Sequence, residues 1–326
     1  MGYEPLAKRL YPCQKWIIQM ATPIIECVAN CSEGRNIEII HALTHAINIV
    51  KNVSLLDQHQ DVDHHRCVLT FAGSPEGVAQ AALELVKTST RLIDMCQHSG
   101  QHPRIGATDV LPFIPLDDAT MSQCVDLAKS VGKRIGDELE IPVFLYEEAC
   151  DQSYRKSLEA IRRGGLPDLA SRMESDPAWL PDFGPEHPHP TAGAIAVGAR
   201  HPLIAYNIVL NTSDLAIAQA IAKVIRASSG GLPAVKALGL ELKTQGLVQV
   251  SMNLTNYRNT SLHVVFEKVK EEAEQRGVSI KGSELVGLIP QEAATQAAAY
   301  DLKCDSLDSD HILESRLRHY QKDNLD

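Results

Sequence analysis

Positive charge is scarce in this chain of 326 residues: 31 Lys and Arg stand against 41 Asp and Glu, a formal net charge of −10. Nucleic-acid and anionic-membrane binders carry a basic footprint, so neither surface is the main business of this protein. A few Arg in one cleft can still outweigh the global charge locally, which leaves acidic small molecules open as substrates. No apolar run reaches the roughly 18 residues that a membrane span needs. None of the eight Cys belongs to a C-x-x-C pair. A chain of this length builds a core without a disulfide framework, and a reducing, cytoplasmic compartment is the expectation. Nucleotide signatures are missing as well: there is no G-x-G-x-x-G and no Walker loop, and the glycines of GAIAVGAR (193–200) lead into a strand. Neither the G-x-S-x-G elbow of an α/β-hydrolase nor an H-E-x-x-H zinc helix occurs.

What is present is a regular succession of apolar patterns. The first 22 residues carry Lys8, Arg9 and Lys15 without an apolar core, a poor secretory signal and an expected flexible extension. From Pro23 onward, IIECVAN (24–30) reads as a strand. Asn36 then caps an amphipathic helix over 37–50. Strands follow at 53–59 and 66–73. A helix over 74–94 has Ser74 as its cap and Pro75 at its first position. Further along come a strand at 107–116, a helix at 121–139 and a strand at 142–149. The second half repeats that order: a strand at 203–210, a helix from Ser213 to Gly230–Gly231, a hairpin of 234–243 with 247–255, a helix at 261–277, an extended run at 278–290 and a helix at 291–302. Each half therefore spells β-α-β-β-α-β with additions, the split ferredoxin-like unit. The expected fold is α/β (α+β): two such subdomains with antiparallel-rich mixed sheets, over 23–200 and 201–326. Between them, 162–193 holds six Pro and four Gly, which argues against a long helix and for a functional loop.

Two clusters could carry chemistry. In HSGQHPRIGATDV (98–110), His98, His102 and Arg104 lie between a helix and a strand. Gly100 and Pro103 exclude an i, i+4 helical metal pair, and loops at strand mouths commonly present catalytic groups. An imidazole beside a guanidinium fork combines proton transfer near neutral pH with carboxylate binding. In DQHQDVDHHRC (57–67), alternating Asp and His could hold Zn²⁺ or Mn²⁺ or could simply face water. No metal is expected, because no other metal-ligand pattern supports that loop. GPEHPHPTAG (184–193) is stiff and polyproline-like, better suited to a preformed ligand wall than to a chelate.

Taken together, IIECVANCSEGRN, LLDQHQDVDHHRCVLTFAG, RLIDMCQHSGQHPRIGATDVLPFIPL, PDFGPEHPHPTAGAIAVGAR and SELVGLIP resemble the formiminotransferase domain, in order along residues 23–302. The resemblance implies two α/β subdomains with a folate cleft between them, a homodimer, and the transferase without a cyclodeaminase half. It also implies transfer of a formimidoyl group between 5-formimidoyltetrahydrofolate and L-glutamate, with tetrahydrofolate as co-substrate. Formyl transfer or cyclo-ligase-type chemistry on 5-formyltetrahydrofolate, and folate binding without catalysis, are the alternatives. The family's catalytic histidine matches His102. Its folate-contacting stretch matches Gly184, Pro185, Glu186, His187, Pro188, His189, Pro190, Thr191, Ala192 and Gly193. Arg66 and Arg104 also match the family pattern, and their charge suits substrate carboxylates. The chain departs from it in places: His65 stands where Asn is common, Ile195 where a polar residue is usual, and relatives differ over Glu186–His189.

Overall fold

The computed structural model describes residues 23–62, 64–99, 103–242, 245–298 and 313. The first half builds a six-stranded mixed sheet and the second a four-stranded antiparallel sheet.

In the first half, strand β1 (Ile25–Cys31) leads to helix α1 (Ile37–Asn48), strands β2 (Val53–Asp61) and β3 (Arg66–Gly73), helix α2 (Pro75–Leu92) and strand β4 (Thr108–Pro115). The order β2-β3-β1-β4, antiparallel throughout, is the ferredoxin-like arrangement expected from the element order. Local chemistry sets the helix starts. The Asn36 side chain accepts from the Glu38 and Ile39 N–H groups, and Ser74 accepts from Gly77 with Pro75 in the first turn. Helix α3 (Met121–Leu139), opened by a Thr120–Gln123 capping box, then carries the chain to strand β5 (Val143–Glu147). Strand β6 (Ile195–Ala199) inserts in parallel between β4 and β5, which extends the sheet to β2-β3-β1-β4-β6-β5. Ile195 is part of the core under the helices, which accounts for an apolar residue at that position.

The connection between β5 and β6 corrects one expectation. It contains helices α4 (Leu158–Arg162) and α5 (Gly165–Ser175), so the Pro-rich segment does hold three turns of helix. Pro167 falls in the first turn of α5, where a missing N–H leaves no intrahelical bond unmade. The apolar faces of α4 and α5 close over Val110, Phe144, Tyr146 and Ala196 on the sheet face opposite α1–α3.

In the second half, β7 (Ile204–Leu210), α6 (Leu215–Ile225), β8 (Val235–Leu242), β9 (Leu247–Leu254), α7 (Leu262–Glu274) and β10 (Ile280–Val286) form the sheet β10-β7-β9-β8, followed by α8 (Gln291–Ala298). This is again the ferredoxin-like order, with its own core. Helix α6 is shorter than expected. Asp214, not Ser213, caps it by accepting from Ala216, and it ends at Ile225 because the chain turns back there to bond Leu232 N–H to the Ile225 carbonyl. The two halves touch where Lys236 on β8 pairs with Glu159 on α4 at 2.8 Å. They also meet where Leu288 packs near Ile24, Leu56 and Ala72.

Candidate functional site

At one end of its strands the six-stranded sheet carries a small cleft. It is lined by Asn30, Cys31 and Ser32 at the end of β1, His64, His65 and Arg66 from the β2–β3 hairpin, and Arg104 and Asp109 around the start of β4. Arg66 and Arg104, 38 positions apart in sequence, therefore face one space, as their shared charge and motif positions suggest. The hairpin register places Arg66 opposite Asp61, and His65 takes a left-handed turn with φ +50. Asn and His are among the few residues that tolerate that conformation, so His65 is compatible with a position where Asn is common.

Hydrogen bonds hold the walls in place. Ser32 donates its hydroxyl to the Gly106 carbonyl at 2.7 Å and its N–H to Ala107, tying β1 to the approach to β4. Glu33, 7% exposed, turns one oxygen toward three donors: Arg35 N–H at 2.7 Å, Asn36 N–H at 2.9 Å and His65 Nε2 at 3.0 Å. Burial opposes ionisation of Glu33, but the Asn36 and Arg35 N–H groups and the His65 ring outweigh it and hold the carboxyl below its usual value. The second His65 nitrogen meets the Ser99 carbonyl at 3.0 Å. The ring stacks on His98 with centroids 4.1 Å apart and planes 14° apart. His98 places Nε2 3.1 Å from the His65 carbonyl, while its buried Nδ1 has no hydrogen-bond partner among the described residues. Burial, then the charges of Arg104 and His65, push the His98 pKa down to about 4, so the ring is neutral at pH 7.

The arginines set the electrostatics. Arg66 is half-buried, with its Nε enclosed; burial and the neighbouring Arg162 charge lower its pKa to about 10, which still leaves it charged at neutral pH. Burial also lowers the pKa of Arg104. Asp109, 3% exposed, accepts the Ile105 N–H at 2.7 Å through one oxygen and the Arg162 guanidinium through the other. Sequence reasoning does not single out Glu33, Asp109 or Arg162 as site residues. A carboxylate inside an otherwise apolar strand, as Asp109 is in TDVLPFIP, is the available signal. Among the described residues, no three His, Cys, Asp or Glu side chains converge as a metal site.

The stretch from Gly184 to Gly193 is divided between two places. Gly184 packs against Gly136 and Ile141, away from the cleft's own lining residues. At the other end, His189 and Gly193 exchange backbone hydrogen bonds. Thr191 and Ala192 accept from Met95 and Ala107, and Ala194 N–H donates to the Ile105 carbonyl. This end therefore lies directly against the segment that carries Arg104. Gly193, at φ +72, and Gly106 form a bridge so close that a side chain on either would collide with a backbone carbonyl. The His189 Nδ1 accepts from Thr191 and Ala192 N–H, an internal turn bond. Glu186, His187 and Pro190 are exposed, and Pro185, Pro188, His189 and Thr191 are half-buried. His102, the matched catalytic residue, lies outside the described residues.

Against this geometry, comparison with known proteins is decisive. The family model described as the formiminotransferase domain, N-terminal subdomain, matches residues 24–200, and that of the formiminotransferase domain matches 205–317. The chain belongs to the formiminotransferase domain family. It is similar to a protein named glutamate formimidoyltransferase from Streptococcus pyogenes serotype M1, at 43% identity over 90% of this chain and 98% of that one. A protein of the same name from Thermoplasma acidophilum is 44% identical over 90% of this chain and 97% of its own. The formimidoyltransferase-cyclodeaminase of Gallus gallus is 43% identical over 87% of this chain, which spans 53% of that longer protein.

Proposed function

We propose that this protein is a folate-dependent transferase that moves a formimidoyl group between 5-formimidoyltetrahydrofolate and L-glutamate, a reaction of histidine degradation and one-carbon metabolism. The observation that carries this reading, beside family membership, is the pair Arg66 and Arg104 in one cleft, Arg104 standing two positions after His102 in the sequence. Glutamate offers two carboxylates, and guanidinium forks bind carboxylates with fixed geometry, which brings reacting atoms into register.

A formimidoyl carbon is an amidine-like electrophile: an amine attacks it and the folate nitrogen leaves with a proton. The His102 imidazole takes the proton from the incoming amine and returns it to the leaving nitrogen, the role that suits a group titrating near neutral pH. Gly184 through Gly193 form the folate wall, with folate held between subdomains divided near Arg200. The acidic glutamate tail of folate calls for a locally basic track on this acidic protein. Homodimerisation and a cytoplasmic location belong to the same reading; among the described residues, no helix is long and apolar enough to cross a membrane.

The test is turnover of the purified protein with formimidoyl- and formyl-tetrahydrofolate, each with and without L-glutamate, repeated on His102→Ala. Glutamate-dependent transfer from the formimidoyl donor supports the reading, with a fall of roughly 10²–10⁴ in the variant at nearly intact folate affinity. Transfer from the formyl donor alone, or variant turnover equal to that of the parent, contradicts it.

A further inference from the structure

The imidazole of His65 joins two segments far apart in the chain: Nε2 meets the Glu33 carboxylate and Nδ1 the Ser99 carbonyl, each at 3.0 Å. We propose that His65 is a positioning residue, a clasp that holds the turn 95–99 against the end of β1 and so aligns the two substrate-binding regions of the transferase. The proposal rests on the formimidoyl-transfer reading, in which L-glutamate enters the cleft, folate lies along 184–193, and His102 follows Ser99 by three positions in the sequence.

The bonding capacity of the ring sets what it can do. Ser99 offers a carbonyl and Glu33 a carboxylate oxygen; both are acceptors, so the ring spans them as a double donor. The Glu33 anchor is itself fixed, because the same oxygen accepts the Arg35 and Asn36 N–H groups at 2.7 and 2.9 Å. The other anchor is fixed by stacking. His98, neutral at pH 7, lies with its ring 4.1 Å from that of His65 and donates its Nε2 N–H to the His65 carbonyl at 3.1 Å. His65 is thus tied to His98 and Ser99 through both its ring and its backbone.

The clasped turn meets the 184–193 stretch at its other end. Met95 N–H donates to the Thr191 carbonyl at 2.8 Å, and the Cys96 thiol donates to the Pro190 carbonyl at 3.2 Å. Asp94 stiffens the piece between, accepting the Cys96 N–H and the Gln97 side-chain amide, each at 2.9 Å. Residues 95–99 therefore form a short strut, with the folate wall of the proposed reaction at one end and the glutamate cleft at the other. A misplacement of about 1 Å between reacting groups can cost on the order of 10²-fold in rate. Loss of the clasp frees one end of the strut while both binding regions keep their own side chains. Its cost therefore falls on kcat.

The experiment compares the full-length parent with His65→Asn and His65→Gly, two replacements that tolerate the left-handed turn at this position. The Asn side chain is too short to reach Glu33 and Ser99 at once. Both substrates are varied, and kcat is referred to the folded fraction found by thermal unfolding of the same samples. His65→Asn should lower kcat at least about tenfold, with both KM values within about threefold, the pattern of lost alignment with binding kept. Imidazole added to His65→Gly should restore about half or more of the parent kcat, whereas 1-methylimidazole, which has one N–H at most, should restore little. A merely structural His65 predicts kcat per folded enzyme within about twofold of the parent, and that result overturns the proposal. So does a raised KM with kcat kept, and so does equal action of the two imidazoles, whether both restore turnover or neither does. Should His65→Asn fail to fold, His65→Gly with the two imidazoles decides. Should neither variant fold, Glu33→Gln takes their place: kcat lowered at least about threefold with both KM values kept supports the proposal, and an unchanged kcat overturns it. A parent protein that transfers nothing to glutamate refutes the functional reading instead, so the two failures are distinguishable.

Discussion

Glu33 offers the sharpest test of how the cleft wall is built. Its Oε1 accepts from two backbone N–H groups, at 2.7 and 2.9 Å, and faces a ring nitrogen at 3.0 Å, all in a residue 7% exposed. Glu33→Gln keeps the shape and a neutral acceptor, so each charge-assisted bond falls to an ordinary one, a loss of about 0.5–1 kcal/mol per bond. Three such bonds amount to about 1.5–3 kcal/mol. Glu33→Ala removes the acceptor and leaves the donors to whatever water reaches them, about 2–4 kcal/mol. At roughly 2–4 °C per kcal/mol for a unit of this size, Gln should lower Tm by about 3–12 °C and Ala by somewhat more. The assay is thermal unfolding followed from pH 7 downward. Because the folded pKa of Glu33 lies below its unfolded value, the parent's advantage is complete above the ordinary carboxylate range. It is lost as pH falls through the folded pKa, so the parent and Gln curves should converge in acid. A Tm for Glu33→Ala within about 1 °C of the parent at pH 7 would refute this account of the wall.

Other consequences follow from the same geometry. The His98 ring faces Arg104, His65 and Glu33 and titrates at about 4 when folded but near 6.5 when unfolded. Its contribution is therefore complete above about pH 6.5 and lost as pH falls toward 4, costing on the order of 1 kcal/mol after solvent screening. His98→Gln should flatten that part of the stability–pH curve, and an unaltered slope in the variant would speak against the assignment. His187 is exposed whereas the His189 Nδ1 closes its own turn. Both Ala variants should weaken folate binding, but only His189→Ala should also lower Tm; unchanged folate affinity in both removes the stretch as a ligand wall.

The parts legible in the sequence are those with local causes. Asn36 and Ser74 with Pro75 announce their helices because capping chemistry acts within a few residues. The end of α6 is harder to read because Gly230 and Gly231 look like a stop, whereas the return of Leu232 to Ile225 ends the helix earlier. Insertion of β6 between β4 and β5 has no local mark, since parallel neighbours are chosen by packing across a crossover. The same holds for the site. Arg66 and Arg104 stand inside recognisable motifs, but Arg162 lies 53 positions from Asp109 and gains its meaning only from burial of that carboxylate.

A glutamate saturation curve for the parent and Arg104→Ala, at saturating 5-formimidoyltetrahydrofolate, tests the central claim most directly. The account predicts saturable, glutamate-dependent transfer by the parent, and at least about a tenfold higher KM in the variant with kcat reduced far less. A parent without glutamate-dependent transfer, or a variant curve superimposed on the parent's, would contradict it.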